Sequence, residues 1–286
     1  MSSPVPPLRI VYFVTQDRQP CRDHVERLTR VMREVQRFYR EGMKAAGYGE
    51  RTFGLETNAA GQLLLHEVRA REATSAYGRD AWDKVRGEVA EALRHKGIDI
   101  DQETVVIFET LLRWDRDKAV EVGPYVGSGD HRSGTAWVYD DDRLDPRLLR
   151  SKEPGGYYGS PCSLGQFNTH YVGGVAHELG HALGLPHVKE TPDQADRGSA
   201  LMGGGNHTYG EELRGEGKGT FLHPVSAMRL ANHRRFAGER PRSTETPDCQ
   251  LLELRAVAEG GRLRVEGRVT SDIDVFGVVA YDDWGK

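Results

Sequence analysis

Apolar positions along the chain follow two periods, and the periods mark its elements. Residues 8–14, Leu-Arg-Ile-Val-Tyr-Phe-Val, are a β-branched and aromatic run of the kind that forms a buried strand. From 23 to 46, Val25, Leu28, Val31, Met32, Val35, Phe38, Tyr39 and Met43 recur every three or four residues and predict one face of a long helix. Asp23, with Glu26 three residues on, predicts a capping box at its start, and Gly47 and Gly49 its end. Residues 51–56 and 62–68 read as two strands of a hairpin across a turn at 58–61. A second amphipathic helix over 80–96 carries Trp82, Val85, Val89, Ala92 and Leu93. Residues 104–108 and 134–139 are further strands. The charged, then glycine-rich stretch 114–130 reads as a loop, as does the Gly, Pro and Tyr-rich stretch 154–161. One more helix is expected within 221–236.

Composition changes after that point. Residues 237–248 read as a linker. Three alternating strands follow at 251–258, 262–269 and 275–281, with turns at Glu259-Gly260-Gly261 and Ser271-Asp272. The chain therefore divides into a large unit over 1–240 and a β-strand segment over 248–286. Three strands are too few for a free-standing sandwich, so the second piece is expected to be the start of a β-sandwich cut short.

The chemistry concentrates between the two predicted strand regions, in His177-Glu178-Leu179-Gly180-His181-Ala182-Leu183-Gly184-Leu185-Pro186-His187. A step of four on a helix stacks His177 above His181, where two imidazoles can converge on one metal ion. Glu178 sits beside them as a base. Gly184 can end the helix in a left-handed turn and return His187 as a third ligand. Three protein ligands leave one position open, as in a catalytic zinc site. A shuffled chain of this composition would hold the full pattern about once in ten thousand. The helix is expected to begin near Asn168 or Thr169.

This stretch resembles the zinc signature of the metzincin clan of metallopeptidases. Ser199-Ala200-Leu201-Met202-Gly203-Gly204-Gly205 resembles that clan's Met-turn. The resemblance runs over residues 8–237 and departs at Val188, where the named families carry a characteristic residue after the third His, so the clan is assigned and the family left open. It implies an α/β (α+β) fold: a metzincin-like catalytic domain with a mixed twisted sheet, a long backing helix and a zinc helix, ahead of the small β-rich C-terminal piece. It also implies a zinc-dependent endopeptidase. His177, His181 and His187 would hold one Zn2+, Glu178 would act as general base and acid on a zinc-activated water, and Met202 would form the floor of the site. Tyr209 is the candidate fifth ligand or oxyanion partner, with His207 as its alternative.

The remaining composition narrows the partners. A net charge of −4 with 29% charged residues offers no polyanion-binding character, so a protein or peptide substrate is expected and nucleic acid is not. No apolar run has the length of a membrane span. The N-terminus does not read as a signal peptide, so the protein is expected to be secreted or periplasmic with its leader removed, or else cytosolic. Cys21, Cys162 and Cys249 allow at most one internal disulfide. Asp140, Asp141 and Asp142 with Asp145 offer hard oxygen ligands for calcium, with a solvated turn as the plainer reading. Two other functions fit the same residues: a zinc hydrolase of a non-peptide amide or ester, and a surface-binding module using the C-terminal strands. Nothing in the sequence indicates an oligomeric state.

Overall fold

The opening run is β1 (Pro7–Val14), an interior strand of a six-stranded sheet in this computed structural model. The structure describes residues 5–158, 160–237, 248–273 and 275–280. In chain order there follow α1 (His24–Ala45), β2 (Gly54–Leu55), β3 (Leu65–Arg69), α2 (Trp82–Arg94), β4 (Thr104–Glu109), β5 (Leu112–Asp115), β6 (Lys118–Glu121), β7 (Val126–Gly129) and β8 (Gly134–Tyr139). Then come β9 (Pro154–Tyr158), β10 (Ser160–Ser163), α3 (Leu164–Ala182), β11 (Ser199–Ala200), β12 (Thr220–Phe221), α4 (Pro224–Ala231) and α5 (Arg234–Ala237). The main sheet runs β2-β1-β4-β8-β7, with β3 also on β1. All of its pairings are parallel except β7 on β8. The antiparallel strand β7 ends the sheet on one side, and β2 and β3 end it on the other.

Strand alternation sends one set of side chains to each face. α1 and α3 cover one face, with Tyr12, Phe108 and Val138 in register beneath them. α2 covers the other, where Trp82 meets Trp137. The apolar stripe of α1 is buried as its period predicts, including Leu28, Val31, Met32, Val35, Tyr39 and Met43. Each such side chain contributes about 1.5–3 kcal/mol relative to exposure. The mixed α/β architecture agrees with the fold class expected from the sequence.

Local expectations needed correction in five places. Residues 51–68 form a hairpin only around the turn, where the antiparallel bridge Thr57 to Leu63 is flanked by Leu64 N–H to Glu56 O and Asn58 N–H to Gln62 O; the strands themselves, β2 and β3, each pair with a different half of β1. Asp23 lies in the left-handed region (φ 49°) with no side-chain cap bond, and the Glu26 carboxylate accepts from Gln62 instead. Residues 114–130 hold strands β6 and β7, and 154–161 hold β9 and β10. β10, β9, β6 and β5 form a second sheet. α3 begins at Leu164, several residues early, because Ser163 and Gln166 make a reciprocal capping box. The expected helix in 221–236 is two short helices, α4 and α5.

Glu109, at the end of β4, lies in register between Phe13 and Tyr139. Its side chain is fully buried, and neither carboxylate oxygen has a hydrogen-bond partner. Burial, with no charged group acting on it, raises its pKa well above the usual carboxylate range. The folded chain therefore keeps this proton at pH values where the unfolded chain has lost it. Stability is greatest below the unfolded pKa of about 4.3 and falls as pH rises towards the raised folded pKa. Glu109→Gln removes that dependence. Its stability relative to the parent should grow by up to about 1.4 kcal/mol per pH unit above that point, read from urea unfolding at pH 4 to 8. An offset that stays constant with pH would refute the assignment.

The chain divides by its contacts into two units, Met1–Gly238 and Glu239–Lys286. In the second, β13 (Cys249–Glu259) and β14 (Arg262–Ser271) pair as an antiparallel hairpin. Gly260 and Gly261 supply the two positive φ values of its tight turn, as expected at 259–261. Residues 275–280 carry no strand, and the expected last position of a third strand, Tyr281, lies outside the described residues. So does the expected linker, except for its ends at Ala237 and Asp248. No helix among the described residues is long and apolar enough to cross a membrane.

Candidate metal centre

α3 is the buried axis of the site, and it is closely approached on three sides. Met202 Sδ lies against Gly180, between His177 and His181, where a Cβ would collide with it. Gly127 on β7 lies against the carbonyl of Glu178, and Gly129 and Gly134 against that of Ala182. The helix ends at Gly184 (φ 74°), where Leu185 N–H donates to Gly180 O. This turn brings His187 back, and Val188 N–H donates to Met202 O, tying the returning chain to the 199–205 turn.

The three imidazoles converge. His181 Nε2 lies 3.1 Å from both His177 Nε2 and His187 Nε2. Among the described residues, this is the one group of three or more His, Cys, Asp or Glu side chains that could hold a metal ion. The hydrogen bonds show why it fits one. His177 Nδ1 donates to Leu201 O at 2.7 Å, and His181 Nδ1 to Leu185 O at 2.9 Å. Both protons are thereby placed on Nδ1, so both Nε2 atoms present lone pairs to each other. Two such acceptors cannot bond one another, and a cation between them resolves the conflict. The spacing is close to the roughly 3.3 Å between nitrogens of a tetrahedral zinc site. Burial lowers the pKa of His177 to about 4 and lowers that of His181, which keeps both neutral.

Glu178, on the next position of α3, faces a cleft of about 1190 Å³ that β7 borders. Its carboxylate accepts from Gly127 N–H, and burial outweighs that bond to raise its pKa to about 7. His170 and His207 line the same cleft, their Nδ1 atoms 3.1 Å apart. Burial, then His207, lowers the pKa of His170 to about 4. His170 lacks a ligand-spaced partner in the sequence, although it stands seven positions before His177 and so on the same helix face. Tyr125 was also missed. Its hydroxyl sits against Gly174 and donates to Tyr171 O at 3.3 Å, and burial, then the nearby Glu178 charge, raises the pKa of the Tyr125 phenol.

Two sequence candidates are placed elsewhere. Tyr209 is buried beside Phe38, and its hydroxyl donates to Glu34 on α1 at 2.8 Å. A phenol so committed is not directed at the imidazoles, so the role expected for Tyr209 is not met. His207, its alternative, is the one that borders the cleft. The acidic run at 140–142 is taken up by other partners. Asp140 pairs with Arg27 and Asp145 with Arg30 and Arg147, while Asp141 accepts from Trp114 Nε1.

No family model and no curated protein matches the chain. Solved structures do. The crystal structure of wild-type OgpA from Akkermansia muciniphila has a TM-score of 0.78 and 27% identity, over 95% of this chain and 73% of OgpA. Catalytically inactive OgpA from the same organism, in complex with an O-glycopeptide (glycodrosocin) substrate, has a TM-score of 0.78 and 26% identity over the same shares. Archaemetzincin from Methanopyrus kandleri, at 17% identity and a TM-score of 0.33, bears no weight. The fold is metzincin-like.

Proposed function

We propose that this chain is a zinc-dependent endopeptidase. One observation carries the reading: His177, His181 and His187 present converging nitrogens at 3.1 Å, beside a carboxylate in a cleft along an open strand edge. The likeness to OgpA, an enzyme with an O-glycopeptide substrate, supports a peptide-containing substrate. The three histidines would hold the zinc, which when bound supplies Lewis acidity to a carbonyl and acidity to a water. Glu178 is the residue that takes a proton from that water and returns it to the leaving nitrogen. Gly127 N–H fixes the Glu178 carboxylate for both transfers. The outward edge of β7 offers backbone groups on which an extended peptide can add as a further strand. Met202, packed under Gly180, forms the floor that holds the two histidine turns in place.

Removal of metal is the direct test. Chelation should lower cleavage of a mixed peptide library at least 100-fold, and one equivalent of zinc per chain should restore it. Mass spectrometry of the products reads both results. Cleavage that survives complete removal of metal would overturn the reading, as would a zinc-loaded protein that cuts no peptide bond.

A further inference from the structure

The main sheet reverses its winding between β1 and β4. The chain leaves β1 for β3 on one side of it, and leaves β4 for β8 on the other. Where neighbouring parallel strands send the chain opposite ways, their carboxyl ends part and open a crevice, which is where open α/β sheets bind ligands. A crevice of about 420 Å³ lies at this point. Arg18 and Arg22 border it after β1, Arg113 and Trp114 after β4, and Asp140, Asp141 and Asp142 after β8. It shares no lining residue with the cleft that holds Glu178.

Its charges favour an anion, although the chain as a whole carries a net charge of −4. Among the described residues, none of Arg18, Arg22 and Arg113 forms an ion pair. Arg18 spans the crevice: its Nη1 donates to Leu112 O at 2.7 Å, tying the loop after β1 to β5. Arg69 Nη1 donates to Arg18 O at 2.7 Å and brings a fourth guanidinium beside that loop. The three aspartates are already engaged. Asp140 is paired with Arg27. Asp141 accepts from Trp114 Nε1 at 2.6 Å and from Arg143 N–H at 2.9 Å, and burial raises its pKa. Asp142 accepts from the backbone N–H of Arg22 at 2.7 Å, which leaves the guanidinium of that residue unpaired.

Guanidiniums without a carboxylate partner on the wall of a crevice are the groups that grip phosphate and carboxylate oxygens. Here they stand on two lips, Arg18 and Arg22 on one and Arg113 on the other, so they approach a ligand from more than one side. A carboxylate offers two oxygens in one plane. A phosphate monoester offers three, with nearly two charges. The crevice has the volume of a small-molecule site, roughly 300–1,000 Å³, which leaves room for an organic remainder beside the Trp114 ring. We propose that this crevice binds the phosphate group of a small phosphate ester, held by Arg18, Arg22 and Arg113. The site is separate from the metal centre and does not depend on the peptidase reading.

Calorimetry on the full chain tests it, with glycerol 3-phosphate and succinate compared at one ionic strength. Glycerol 3-phosphate should bind at about one site per chain and at least about tenfold tighter than succinate. Arg22→Gln combined with Arg113→Gln should weaken its binding at least about tenfold. Both side chains are exposed, so the variant should keep the circular dichroism of the parent. Arg22→Lys combined with Arg113→Lys keeps the charge but not the planar fork, and its affinity should fall between the two. Binding that survives the double glutamine change, as it would if the anion sat on a metal held by the histidines, overturns the location. Succinate binding as tightly as glycerol 3-phosphate overturns the choice of phosphate. No binding of either overturns the site.

Discussion

Glu178→Gln is expected to keep about one zinc per chain and to lose about 10³-fold in kcat, with little change in KM. The substitution keeps the side chain's shape. Its amide oxygen can still accept from Gly127 N–H, so the geometry beside the histidines is conserved. What disappears is a group that can take a proton and return it. General acid–base groups contribute about 10²–10⁴ in rate, and here one residue serves both transfers. The ligand set is untouched, because the Nδ1 protons of His177 and His181 stay bound to Leu201 O and Leu185 O. Metal analysis and single-turnover cleavage should be measured on the same sample. A variant that keeps its zinc and cuts within tenfold of the parent would remove Glu178 from the mechanism.

How much of this could be read beforehand depended on whether a role sits in a repeat pattern or in a contact. The long helix was legible because its apolar stripe is continuous, and the three histidines because their spacing is itself the geometry. β7 was not legible. Its sequence, Val-Gly-Ser-Gly, lacks the branched and aromatic side chains that mark strands, since the backbone of α3 occupies the space they would need at Gly127 and Gly129. The same glycines that hid the strand allow it to touch the helix. Tyr209 failed for a related reason. Proximity in sequence to Met202 suggested a place at the site, but Gly173 packs against the Tyr209 Cβ and the phenol turns to Glu34 on α1. His170 was hidden by its lack of any neighbouring ligand in sequence; its partner, His207, is 37 positions away.

The acidic run at 140–142 shows what such a contact is worth. Asp140→Ala is expected to cost about 3–5 kcal/mol, lowering Tm by roughly 10 °C. Asp140 lies at the end of β8, buried, and accepts from Arg27 Nη1 at 2.7 Å, Arg27 Nη2 at 3.1 Å and the Tyr12 hydroxyl at 2.8 Å. Removing it leaves a guanidinium buried among carbonyls alone, those of Arg22, Asp141 and Leu144. An uncompensated buried charge is the costly outcome, whereas removing both partners is often far milder. Arg27→Met combined with Asp140→Leu should therefore recover much of the loss seen in Asp140→Ala. Urea unfolding of the three variants reads both effects, and a single variant within 1 kcal/mol of the parent would refute the argument. Asp140 does not line the cleft that holds Glu178, so the penalty falls on stability. Cleavage per folded molecule should stay within about twofold, because an electrostatic anchor between α1 and β8 acts on how often the site is assembled rather than on what it does once assembled.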